Sequence, residues 1–315
     1  ARIVVLSEDP DGLAGIDQAK YAAGMQARYQ KLRPYIYARE NREQWCIAAV
    51  PGVKWAKKVF PELPKGRAVE KLWEVILSCS RALEGDPEEN WRLHNLELKA
   101  RADRLNAMGL VSLEYRSANG TDLKVGLIPE ALFLGGAERC PVNGVLYDPN
   151  IPSEELFITP KAGSAEGIVH ATMPLVFQGI LIEDFWLRFE GGKVTELHAE
   201  KNEEALRTLV SMDEGAAMLG ECALVPYASP IRESGILFYN TLFDENAACH
   251  LALGRGYSSN IRDYENYSLE ELRAMGVNDS MVHEDFMIGS EDLSITGVTA
   301  AGERVAIFRD GGWAF

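Results

Sequence analysis

Residues 86–128, DPEENWRLHNLELKARADRLNAMGLVSLEYRSANGTDLKVGLI, contain the change of texture that decides the fold. Asp86-Pro87-Glu88-Glu89 sets a capping residue, a proline and two acids in the order in which a helix begins, and Gly109 supplies its end. The pattern predicts a long helix from about Pro87 to Met108. From Val111 the chain turns to hairpins: Leu113–Ser117 and Leu123–Ile128 flank Ala118-Asn119-Gly120-Thr121, where Asn-Gly predicts a type I′ turn.

Upstream of the helix, a short apolar strand (Ile3–Leu6) alternates with helical patterns over Gln18–Leu32 and Ala68–Leu83, an α/β rhythm. Downstream, Phe185–Phe189 with Lys193–Leu197 around Gly191-Gly192, and Ser294–Val298 with Arg304–Phe308, repeat the hairpin pattern. The expected fold class is α/β plus α+β: the remnant of an N-terminal α/β domain over 1–110, then a mixed β-rich domain over 111–315. The immediate start on a core-like strand, without Met, reads as a piece of a longer chain.

The 315 residues are 47% hydrophobic, which supports a buried core and excludes a disordered, collagenous or disulfide-scaffold protein. Forty-seven acidic against thirty-two basic residues leave a net charge of −15 with no basic run, so nucleic acid and anionic membranes are not expected partners. Five scattered cysteines without a CxxC pair read as buried thiols in a reducing compartment, and no stretch has the length of a membrane span. A cytoplasmic protein is expected.

Five histidines limit any metal or catalytic chemistry. His94 lies within the polar long helix, and His170 and His198 lie in hairpin-rich segments with no carboxylate pattern that stands out; all three read as surface or core residues. His283 differs, because in Val282-His283-Glu284-Asp285-Phe286-Met287 an extended segment would put His283 and Asp285 on one face. Together they would suit Zn, Mn or Co, with a simple hydrogen-bonded pair as the alternative. In Asp244-Glu245-Asn246-Ala247-Ala248-Cys249-His250-Leu251-Ala252-Leu253-Gly254 the expectation is a helix, with Asp244 as N-cap, Gly254 at C′, and Glu245 and His250 about 140° apart. These two are either site residues or a capping glutamate and a core histidine. Glu221 lies in an otherwise apolar run, where a lone carboxylate needs a cation. Glu154-Glu155 stands at the mouth of the strand Leu156-Phe157-Ile158.

Pro152-Ser153-Glu154-Glu155-Leu156-Phe157, Leu219-Gly220-Glu221, Phe238–His250 and His283-Glu284-Asp285-Phe286-Met287-Ile288-Gly289, in this order, resemble the M29 metallo-aminopeptidases, and the resemblance runs to Gly311-Gly312-Trp313. It implies metal ligands at Glu155, Glu221, His250, His283 and Asp285, with Glu221 bridging two divalent ions (Zn, Co, Mn or Mg). It implies Glu245 as general base and acid, and Tyr257 as donor to the developing oxyanion. It further implies release of N-terminal residues from short peptides by a homodimer, and a further N-terminal segment of about a quarter of the family's length. A phosphoesterase is disfavoured, since no arginine cluster adjoins these residues. The remaining alternative is a non-catalytic, metal-stabilised oligomerisation or peptide-binding module. In the H-x-D motif, Glu284 should point to the opposite face.

Overall fold

A computed structural model describes residues 1–39 and 42–315. The chain opens with β1 (Arg2–Leu6), α1 (Gln18–Arg39) and β2 (Trp45–Ala49); the strands pair in parallel across the helical crossover. After α2 (Val53–Val59), α3 (Lys65–Cys79) buries Ala68, Leu72, Val75, Ile76 and Cys79, which recur at helical spacing, against Trp55 and Phe243. The expected long helix is α4 (Pro87–Ala107): Asp86 caps it by accepting the Glu88 N–H, and Gly109 leaves it at φ +61°.

Beyond α4 come β3 (Leu110–Arg116), β4 (Asp122–Gly126), β5 (Glu138–Arg139), β6 (Leu146–Tyr147), β7 (Leu156–Ile158), β8 (Glu166–His170), β9 (Leu175–Phe177), β10 (Ile180–Glu190) and β11 (Lys193–Lys201). Then follow α5 (Glu203–Val210), β12 (Leu219–Leu224), α6 (Pro230–Glu233), α7 (Thr241–Asp244), β13 (His250–Gly254), α8 (Leu269–Met275), β14 (His283–Met287), β15 (Ser294–Thr299), β16 (Arg304–Arg309) and β17 (Gly312–Trp313). The described strands form a large sheet in the order β11-β10-β8-β4-β3-β15-β16-β17, with β9 also on β10, a four-stranded sheet β14-β13-β12-β7, and two small pairs, β1-β2 and β5-β6. The architecture is mixed α/β with several sheets. The hairpins β3/β4, β10/β11 and β15/β16 stand where the sequence patterns put them.

Two local expectations are corrected. The loop between β3 and β4 is no two-residue type I′ turn, because Arg116 pairs with Asp122 and five residues intervene. Gly120 has a positive φ, +103°, whereas Asn119 does not. Asp292 holds this longer loop by accepting from the Ala118 N–H and the Ser117 hydroxyl, so a tertiary contact overrides the turn preference. The helix expected over Asp244–Gly254 is absent as well. Asp244 ends α7, Glu245–Ala247 form a 3₁₀ turn, and His250 opens a strand. Asp244 sits at the N-cap position of that turn but does not cap it with its side chain: its carboxylate accepts from the backbone N–H groups of Phe238 (2.8 Å) and Asn240 (3.0 Å). Every residue of β13 is buried between β12 and β14, and a short apolar run of this kind fits a buried strand as well as a helix. Gly254 is required not as a helix terminus but because a Cβ there would lie 2.2 Å from the Val282 carbonyl oxygen.

Candidate metal centre

One face of the four-stranded sheet carries the polar chemistry. Its strands are antiparallel, so directly paired residues share a face and successive residues alternate. His250 pairs with Ala223 and Met287, Ala252 with Asp285 and Glu221, and Gly254 with His283. Phe157, two residues after Glu155, pairs with Ala223. Glu155, Glu221, His250, His283 and Asp285 thus project from one face, with the small residues Ala223, Ala252 and Gly254 leaving room between them. The other face sends Leu156, Ile158, Cys222, Leu224, Leu251, Leu253 and Phe286 into the main core. Glu284 points to that opposite face as expected, and burial pushes its carboxyl up to about 8.

The five side chains form two groups whose ligand atoms lie within 4.8 Å of one another: Glu155, Glu221 and His250, and Glu221, His283 and Asp285. Glu221 belongs to both. His250 Nε2 is 3.1 Å from Glu155 Oε2; His283 Nε2 is 3.0 Å from Glu221 Oε2 and 3.4 Å from Asp285 Oδ1. Glu155 Oε2 and Asp285 Oδ1 are nevertheless buried without a partner in hydrogen-bonding geometry. Each imidazole turns its Nδ1 to a carbonyl oxygen, His250 to Ala248 (3.2 Å) and His283 to Arg255 (2.6 Å). A carbonyl only accepts, so Nδ1 carries a proton and Nε2 faces the cluster, where its lone pair can take a second proton or, as in metal-bound histidines, a metal ion.

These residues fit divalent ions. Converging carboxylates repel unless a cation lies among them. Burial opposes a charge on His250, yet Glu155, Asp285 and Glu221 hold its imidazole up at about 10. Burial pushes Glu221 up to about 7, with His283 opposing and Glu155 adding to the rise. Protons can thus neutralise the cluster, one of them on His250 Nε2; a metal ion would take that proton's place and also engage the Glu155 and Asp285 oxygens that lack a hydrogen-bond partner.

Glu245 and Tyr257 reach the cluster from outside the sheet. Glu245 rides on the 3₁₀ turn and lines the same cavity as Asp285; burial, then the charges of Asp285 and Glu155, raise its carboxyl well above the usual range. The Tyr257 hydroxyl is 3.1 Å from His283 Nε2 and its ring packs edge-on to Phe157. Burial, then Glu221 and Asp285, keep the phenol protonated. Its backbone N–H donates to Thr159 Oγ1 at 2.8 Å. All seven side chains singled out in the sequence line one cavity of about 320 Å³.

The other histidines stay apart from it. His94 is buried on α4, His170 stacks at a tilt on Trp186, and His198 pairs with Glu203 at 2.8 Å. Sequence reasoning missed Asn246, which accepts the Glu154 N–H at 2.7 Å and lies next to Glu245. It also missed Arg81, which pairs with Glu154. Neither contact is local, so no spacing signals it.

Three carboxylates and two imidazoles beside a spare acid and a phenol form the donor set of a metal-dependent hydrolase. The chain belongs to the thermophilic metalloprotease (M29) family, which matches residues 1–313. It is 43% identical to aminopeptidase AmpS of Bacillus subtilis, covering 100% of this chain and 77% of that protein. It is 42% identical to aminopeptidase T of Thermus aquaticus, covering 99% and 76%. The solved structure of wild-type AmpT from Thermus thermophilus superposes with a TM-score of 0.89 at 39% identity, covering 100% of this chain and 77% of that one.

Proposed function

We propose that the chain releases N-terminal residues from short peptides, using two divalent ions held by Glu155, Glu221 and His250 on one side and by Glu221, His283 and Asp285 on the other. Family membership makes it a metallo-aminopeptidase; the observation that carries the dinuclear reading is Glu221, shared by both donor groups. When bound, such ions polarise a peptide carbonyl and lower the pKa of water. Zn, Co, Mn and Mg all suit mixed oxygen and nitrogen donors.

The remaining work falls to the protein. Glu245, outside both donor groups but lining the same cavity, takes a proton from the attacking water and returns it to the leaving amine. Tyr257, protonated and close to His283, donates to the oxygen on which charge develops. The carboxylates around the cavity receive the substrate's free ammonium group. A metal-stabilised module would have no use for this acid and phenol.

The homodimer rests on the family resemblance. No described helix is long and apolar enough to cross a membrane. The free cysteines, four of five buried, support the cytoplasmic reading.

The test is hydrolysis of unblocked and N-acetylated di- and tripeptides by metal-stripped protein, with Zn, Co, Mn or Mg restored in turn. We expect metal-dependent cleavage of the unblocked peptides alone. Equal cleavage of the acetylated set, or activity that survives stripping, refutes the reading.

A further inference from the structure

Glu155 precedes a strand of only three residues, yet the segment before it is clamped from three sides. Arg81, just beyond α3, grips both oxygens of Glu154: Nη1 meets Oε1, and Nη2 meets Oε2 at 2.8 Å. From α4, His94 Nε2 donates to the Ser153 carbonyl at 2.7 Å. Asn246, fully buried in the turn that carries Glu245, accepts the Glu154 N–H at 2.7 Å and donates to the Leu242 carbonyl at 3.0 Å. Arg81 is itself tied down, because Asn90 on α4 donates to its carbonyl at 3.0 Å.

Adjacent residues of an extended chain point to opposite sides. Here the Glu154 carboxylate turns into the bidentate grip of Arg81 while Glu155 lines the cavity, so holding the one fixes the aim of the other. A bidentate guanidinium–carboxylate pair fixes orientation as well as position, and here the Glu154 side chain is only 6% exposed. Glu155 contributes to one donor group only, and among the described residues the hydrogen bonds that hold Glu154 run to Arg81 and Asn246 rather than to Glu221, His283 or Asp285.

We propose that Arg81, acting through Glu154, is a positioning residue for Glu155, and that it sets the metal affinity of the Glu155–Glu221–His250 group while leaving the Glu221–His283–Asp285 group unchanged. The inference rests on the dinuclear reading above.

Calorimetric titration of Co or Zn into metal-stripped protein tests it, with bound metal counted after dialysis. Wild type should take up two ions. In Arg81→Ala one dissociation constant should rise by about 10- to 100-fold, the range typical of lost support behind a ligand, while the other holds. Arg81→Lys, which keeps the charge but loses the fork, should fall between. Should Arg81→Ala fail to fold around an unpaired Glu154, the neutral pair Arg81→Met with Glu154→Gln takes its place, with the same one-site loss expected. Two unchanged constants, or equal weakening of both, would overturn the proposal while leaving the dinuclear reading standing. Wild type that binds no ion or only one would overturn the dinuclear reading and the proposal with it.

Discussion

The large sheet and the four-stranded sheet are both built from alternating residues, but the alternation serves different ends. In the large sheet, β10 buries Phe185, Leu187 and Phe189 in the main core while Asp184 and Glu190 stay exposed. In the four-stranded sheet, β13 sends Leu251 and Leu253 into that core and His250 toward the ligand cluster, and both faces are buried. One sheet separates oil from water. The other separates oil from a set of converging charges, so its cavity-facing side holds groups that burial and mutual repulsion disfavour until a cation joins them. Stability should therefore be concentrated in the large sheet and chemistry on the cavity-facing side of the small one.

The largest expected effect tests the chemical side. Glu245→Gln keeps the shape of the side chain and removes its ability to carry a proton between water and amine. Turnover should fall by about 10²- to 10⁴-fold, the usual contribution of a positioned acid–base group, with two ions still bound. A variant that loses metal and activity together would instead make Glu245 a ligand. The counterpart in the large sheet is Phe189→Ala. Phe189 is fully buried, and its truncation should cost about 3–5 kcal/mol in urea unfolding while activity per folded molecule stays at the wild-type level. Lost activity in the folded fraction would break the division between the sheets.

The large sheet was legible because its signals are local. Asp86 and Gly109 bracket α4, and Gly191-Gly192 marks the β10/β11 turn within a few residues of the strands it joins. The site was legible at the level of short motifs, since His283 and Asp285 stand two apart on one strand face. What brings Glu155 within 3.1 Å of His250 is the register of β7, β12 and β13, which no local pattern encodes. The stretch Asp244–Gly254 departs from its expected helix for a related reason. Small and apolar residues filled both helical and extended templates, while the alternation of His250, Ala252 and Gly254 with Leu251 and Leu253 was the signal for a strand. Asn246 and Arg81 could not be found at all, because each acts on Glu154 across a distant stretch of chain.

The pH-dependent effect concerns Asp244, the last residue of α7, which sits beside the stacked rings of Phe238 and Phe243. Burial pushes its carboxyl from 3.8 up to about 7, against the opposing hydrogen bonds from the backbone of Phe238, Asn240 and Tyr239. Between those two values the folded protein binds more protons at this position than the unfolded chain does. Stability from Asp244 is therefore fully present below about 4 and is lost as pH rises through about 7. Asp244→Asn removes this titration. It also exchanges one acceptor oxygen for a donor, which adds a constant offset at every pH. The stability gap between variant and wild type should move in the variant's favour as pH rises across the window, by about 1.4 kcal/mol per pH unit at most, and level off above it. Urea unfolding of both metal-stripped proteins at a series of pH values measures that slope, and a gap that stays flat would show that Asp244 remains ionised in the fold.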